Sequence, residues 1–166
     1  EIKIFTTLFP RAISDSVTRN VVLFDEYDIS EYIAAYKVCH GDTTVENPDY
    51  DESYETEGSN KQYYDTDDFD CANINNYLES MFPDVFCQSV SIDSSTKSNI
   101  INSSNTYSST QSLCSYASSK CNKMPSSTVS FENLTDDDGD DTYGSCVLSY
   151  TESTDSSSGG ILDYIS

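Results

Sequence analysis

The chain has no tryptophan, a single histidine, only eight lysines and arginines, and no long apolar run. Each shortage removes a class of function. Without a second histidine, and with its six cysteines never in a Cys-x-x-Cys pair, the sequence lacks the ligand spacing of a zinc site. The 29 acidic residues set a net charge of −21, so phosphate backbones would be repelled. That excludes ordinary nucleic-acid binding and disfavours anionic membrane surfaces. No apolar run approaches the ~18 residues of a membrane span. The chain opens at Glu1 with no basic-then-apolar leader, which reads as mature protein or as a domain excised from a longer secreted precursor. Paired carboxylates are plentiful, but glycosidases build clefts with aromatic platforms, and tryptophan is missing. No nucleophile elbow or phosphate loop occurs. The expectation is a protein that is not an enzyme and needs no cofactor.

What is present is a thin core held by other means. Leu, Ile, Val and Phe make up only about a fifth of the chain, near the compositional edge where chains stop folding. Thirteen tyrosines add amphipathic ring surface. Cys39, Cys71, Cys87, Cys114, Cys121 and Cys146 are expected to form three disulfides, with the connectivity left open among 15 possibilities. The sequons at Asn102 and Asn133 agree with a secretory route and mark candidate glycosylation sites. His40 follows Cys39, but neighbours on a strand face opposite ways, so it reads as a surface or turn histidine.

Strand-like runs recur: Ile2 to Phe5, Val17 to Phe24, Tyr32 to Cys39, Val85 to Ile92, Thr128 to Leu134, Tyr143 to Tyr150 and Ile161 to Ile165. In the sixth, Cys146, Leu148 and Tyr150 form the more apolar face and are assigned inward. One amphipathic helix fits Ile74, Tyr77, Leu78, Met81 and Phe82, with Pro83 ending it. The Ser-rich stretch from Ser94 to Ser127 reads as a long loop pinned by cysteines, or weak edge strands. These elements predict a single all-β domain over residues 1–166, a two-sheet β-sandwich with one short helix, stapled by disulfides.

Charge is segregated along the chain. From Gly41 to Asp70 there are eleven acidic residues against Lys61 alone, whereas Ser94 to Ser127 has none. Carboxylates pair with Lys and Arg, and tyrosine rings offer flat area for guanidinium stacking. The candidate binding surface for a basic partner is therefore Glu46, Asp49, Tyr50, Asp51, Glu52, Tyr54, Glu55, Asp65, Asp67 and Asp68. Tyrosines set among acids are also sulfation candidates. A second acidic knot, Asp136 to Asp141, resembles a calcium loop at first glance. Aligning Gly139 with the sixth EF-hand position puts Leu134 first and Ser145 twelfth, where carboxylates are required, so no metal site is assigned.

The runs Ile2-Lys3-Ile4-Phe5, Ser14-Asp15-Ser16-Val17-Thr18-Arg19-Asn20-Val21-Val22 and Tyr32-Ile33-Ala34-Ala35-Tyr36-Lys37-Val38-Cys39-His40-Gly41-Asp42 bring the chain close to a known family. The text resembles the SECRET domain, the chemokine-binding module at the C-terminus of secreted poxvirus decoy receptors for tumour necrosis factor. The resemblance extends over the whole chain but rests on overall text and cysteine content, and carries no contact residue across. It implies a β-sandwich that scavenges basic host chemokines by covering their receptor-binding surface. It also implies a tumour-necrosis-factor-binding region N-terminal to this domain. The alternative is a structural or adhesive acidic β-sandwich, calcium-dependent or merely solubilised by its charge.

Overall fold

The structure is a computed structural model and describes residues 15–54, 60–121 and 126–153. Three of the β-branched runs form strands: β1 (Ser16–Asp25), β2 (Ser127–Thr135) and β3 (Thr142–Ser153). They make one antiparallel sheet in the order β1-β3-β2, so the last strand in sequence is the middle one in space. Leu148 stands between Val21 and Val129, and Cys146 between Phe24 and Phe131. A bulge between Val22 and Phe24 inserts Leu23 and brings Phe24 level with Cys146. The inward assignment of Cys146, Leu148 and Tyr150 holds, because all three lie in the buried core. The Asp136–Asp141 knot is the β2–β3 turn. Its Asp136 carboxylate accepts the Asp140 and Asp141 amides at 3.0 and 3.4 Å, and Gly139 takes the positive φ of +73°.

The all-β expectation is wrong, and α1 (Glu26–Cys39) shows why. Tyr32 to Cys39, expected as a strand, is the second half of this helix. Asp25 caps it: each of Asp25 and Asp28 accepts the other's backbone amide at 3.0 Å, a reciprocal capping box. Acids in the first turn and Lys37 in the last suit the helix dipole. Ile29, Tyr32, Ala35 and Val38, three residues apart, form the buried stripe. His40 caps the C-terminus, and Gly41 follows at φ +100°, where a side chain would be strained.

The Ser-rich stretch, expected as loop, also folds into helices, α2 (Ser94–Ile101) and α3 (Thr106–Lys120). Asp93 and Asn105 cap them, each accepting an amide three residues on at 2.7 Å. The buried face of α3 is Ser109, Thr110, Leu113, Cys114 and Ala117, small enough for close approach to the sheet. Its two hydroxyls donate to carbonyl oxygens, Ser109 to Ile100 at 3.0 Å and Thr110 to Thr106 at 2.7 Å, so neither is orphaned. Val85 to Ile92, expected as a strand, is irregular chain that buries Phe86, Cys87 and Ile92. The stripe from Ile74 to Phe82 does face the core, but as short 3-10 turns over Cys71–Asn76 and Glu79–Met81 instead of an α-helix. Ile2 to Phe5 and Ile161 to Ile165 lie outside the described residues.

The architecture is a mixed α and β fold with helices against a single sheet; helices stand where the second sheet was expected. All six cysteines are paired, as Cys39–Cys71, Cys87–Cys121 and Cys114–Cys146. The last ties α3 to the central strand. Each closes a loop of 32 to 34 residues. In the chain-entropy picture that is worth about 3–4 kcal/mol apiece, a large fraction of a small domain's stability.

Two tyrosines make the fold sensitive to alkali. Burial pushes the Tyr32 phenol from 10.0 up to about 12, with help from Tyr36 and Glu79. Burial, then Glu31 and Asp28, does the same for Tyr77. The unfolded chain gives up these protons first, so this stability is complete below pH 10 and is lost as pH climbs towards about 12. Urea midpoints are expected to fall through that window, with tyrosinate absorbance rising as circular dichroism is lost. Titration of every tyrosine near 10 in a chain that stays folded would contradict this.

Candidate functional site

Helical periodicity turns Tyr27, Ser30, Glu31, Ala34 and Lys37 away from the buried stripe of α1. The acidic segment folds back over this outer face, because Cys39 at the end of α1 is bonded to Cys71. All eleven acids from Asp42 to Asp70 lie inside the loop that this bridge closes. The described part of the loop is built from its own polar groups. Residues around Glu46 pair antiparallel with Tyr63, with Asn47 N–H donating to Gln62 O at 2.9 Å and Tyr64 N–H to Val45 O at 3.0 Å. Asn47 also donates its amide to Lys61 O at 3.0 Å, and Asn60 exchanges two bonds with Asp51. The Thr44 hydroxyl and amide, both donating to Asp42, hold its carboxyl below the usual range.

Between α1 and this loop runs a groove of about 950 Å³. Ile33, Ala34, Val45, Pro48 and Phe69 give it apolar surface. Glu31, Asp42, Glu46, Asp49 and Asp68 supply five carboxylates, against Lys37 as the one cation among the lining residues. Tyr64 sits among them with its ring edge-on to Phe69, centroids 5.0 Å apart. Its hydroxyl is pushed upward first by burial and then by Asp49, Asp68 and Glu31, so it stays protonated and able to donate. A second compartment of about 470 Å³ adjoins the first and shares Glu31, Asp68 and Phe69 with it.

The groove reaches the other acidic cluster. Tyr27, 58% exposed, is a lining residue, and its ring meets Tyr143 edge-on at 5.2 Å. Its phenol is pushed up by desolvation and then by Asp141 and Asp136, the two ends of the β2–β3 turn. Acids of the β2–β3 turn therefore act on a tyrosine that also lines the groove of the acidic loop, so the two acid clusters, far apart in sequence, flank the same stretch of surface.

Of the ten expected binding residues, Glu46, Asp49 and Asp68 line the groove. Tyr50 is half-buried and is not among the lining residues. Asp51, Glu52 and Tyr54 stand exposed on the 3-10 turn Glu52–Tyr54 and its approach, outside the lining. Asp65 is paired with Lys61 at 3.0 Å, which holds its carboxyl low, and Asp67 is exposed on the turn Thr66–Asp68. Glu55 lies outside the described residues. The sequence reading missed the opposite wall, namely Tyr27, Glu31, Ala34 and Lys37, together with Asp42, Tyr64 and Phe69. A helical reading of residues 26–39 would have exposed that wall, since Tyr27, Glu31 and Ala34 recur at i, i+4 and i+7.

His40 is a capping residue, stacked on Tyr36 at 4.0 Å with Nδ1 2.7 Å from the Tyr36 carbonyl oxygen. Asn102, at the end of α2, and Asn133, on β2, are both exposed. Among the described residues no helix is long and apolar enough to cross a membrane, and no cluster of His, Cys, Asp or Glu could hold a metal ion. Comparison of the chain with protein-family models, with curated proteins and with solved structures finds no match.

Proposed function

We propose that this chain is a secreted binding domain that captures a basic protein by seating its Lys or Arg side chains in the groove between α1 and the acidic loop. One observation carries the reading: five carboxylates converge on an apolar-lined groove that contains two tyrosines and a single cation. The apolar surface accommodates the aliphatic stem of a basic side chain, the rings stack on its head, and the carboxylates pair with its charge. Three disulfides suit an oxidising compartment. The net charge of −21 would speed encounter with a cationic partner.

Chemokines, small basic proteins of the extracellular space, are the partner we propose, and a viral decoy that occludes them is the setting named by the resemblance to the SECRET domain. The groove supports capture of a basic protein on its own. The resemblance supplies only the identity of the partner, and the β-sandwich it implied is not the fold present. The test is surface plasmon resonance of the domain against a chemokine panel, with unrelated basic proteins alongside, at low and physiological salt. Saturable chemokine binding with a salt-sensitive association rate is expected. Equal binding of every basic protein would remove the chemokine assignment and leave capture standing. No binding at micromolar concentration would remove the function, and stability that rises on adding calcium would then favour an adhesive or structural role.

A further inference from the structure

Helix α1 gives one alanine to each compartment of the groove, Ala34 to the larger and Ala35 to the smaller. Each compartment also has one partly buried tyrosine, Tyr64 in the larger and Tyr77 in the smaller. Glu31 lines both and acts on both phenols, raising each one behind the effect of burial and hydrogen-bonding Tyr77. Asp68 is likewise shared, whereas Asp49 belongs to the larger compartment and Asp70 to the smaller. Each compartment thus has, around a common pair of carboxylates, a small helical residue, a tyrosine and at least one acid of its own, the larger adding Tyr27, Asp42 and Glu46. One incoming cation cannot neutralise this surface. The lining of the two compartments together carries six carboxylates and Lys37, and Lys61 approaches Asp68 from outside at 3.5 Å.

We infer that the site takes two basic side chains of one extended segment, an Arg or Lys in each compartment, on either side of Glu31. The inference rests on the reading of the groove as a site for cations, and adds how many and how spaced. Because the compartments share a wall, the two residues lie close in sequence. Extended chain advances about 3.3 Å per residue and turns successive side chains to opposite faces, so two residues on one face are two positions apart, and an adjacent pair serves as the comparison.

The experiment uses the intact oxidised domain and four labelled peptides of equal length, read by fluorescence polarisation. One carries two arginines, two carry a single citrulline in place of either arginine, and the last carries citrulline at both positions. Each set is made with the pair adjacent and with the pair separated by one residue. With one residue between the pair, the doubly charged peptide is expected to bind at least about tenfold more tightly than either singly charged one, the effect of one good charge-assisted contact. Ala34→Phe, which fills the larger compartment, should reduce that peptide to the affinity of a singly charged one, with circular dichroism showing an unchanged fold. Glu31→Gln, on an exposed position, is the second variant and should weaken both singly charged peptides by similar factors. Singly charged peptides binding as tightly as the doubly charged one at that spacing would overturn the two-compartment inference while leaving cation capture intact. If even the doubly charged peptides fail to bind at millimolar concentration, the reading of the groove itself falls.

Discussion

Opening the Cys39–Cys71 bridge alone is expected to abolish capture of a basic partner while the sheet and the other two disulfides persist. The bridge closes a loop carrying eleven acids with no fully buried residue among those described. Apolar anchorage of the loop is slight, with Phe69 only partly buried against the core, and its like charges repel one another. Without the crosslink, roughly 3–4 kcal/mol of loop-closure entropy works against the folded arrangement. The main-chain pairing around Glu46 and Tyr63 and the polar bonds of Asn47 and Asn60 are mostly exposed, and such bonds are worth about 1 kcal/mol each. The helices and strands have their own core. Cys39→Ser with Cys71→Ser should keep the far-ultraviolet spectrum and lose binding by a factor of about a hundred or more, the equivalent of ~3 kcal/mol. The bridge is also the accessible one: Cys39 and Cys71 are half-buried, while the other four cysteines are at most 2% exposed. A mild dithiol should therefore reduce it first, which mass mapping of alkylated cysteines would show. Unchanged binding kinetics in the double variant would separate the acidic loop from function.

Neutralising Glu31, Glu46 and Asp49 together is expected to slow association with a basic partner about tenfold at low salt and to hasten release. The matched triple Asp51, Glu52 and Asp67 removes the same charge from positions outside the groove lining. Exposed charges are screened beyond ~8–10 Å at physiological salt, so that triple should alter only encounter, and only when salt is low. Groove carboxylates are partly desolvated by a seated side chain, and losing them should raise the dissociation rate at any salt. Surface plasmon resonance of both triples at two ionic strengths separates these effects. Identical kinetics would mean that total charge alone drives capture and that the groove has no special part in it.

The strands were readable because β-branched residues and half-buried positions announce them, and β1, β2 and β3 fall where Val17 to Phe24, Thr128 to Leu134 and Tyr143 to Tyr150 predicted. The helices were not. In α3 the buried face is Ser109, Thr110, Cys114 and Ala117 beside one leucine, so the helical period carries almost no hydropathy and only its cap, Asn105, marks it. In α1 the run Tyr32 to Cys39 has the aromatic and β-branched content of a strand. The capping box at Asp25 and Asp28, together with the three-residue spacing from Ile29 to Val38, decided the matter the other way. The site inherits that error. Its acidic loop was legible from charge, and three of its carboxylates were named. Ala34, on the other wall, could not be grouped with them while Tyr32 to Cys39 was read as a strand, and Glu31, just outside that run, was assigned to no element.

The order of the disulfides has a consequence for how the protein matures. Cys39 and Cys71 are neighbours in the series of cysteines and can join as soon as both have emerged from the ribosome. The other two bridges interleave: Cys87 passes over Cys114 to reach Cys121, and Cys114 waits for Cys146. Oxidation in order of appearance would instead join Cys87 to Cys114 and leave Cys121 for Cys146, binding the wrong end of α3 to the sheet. Cys146 lies on β3, the strand that must also arrive before β1 can pair. Correct pairing is therefore expected to need delayed oxidation or thiol exchange, such as an isomerase catalyses. Material refolded under rapid oxidation should be rich in a scrambled isomer that already carries the native Cys39–Cys71 loop.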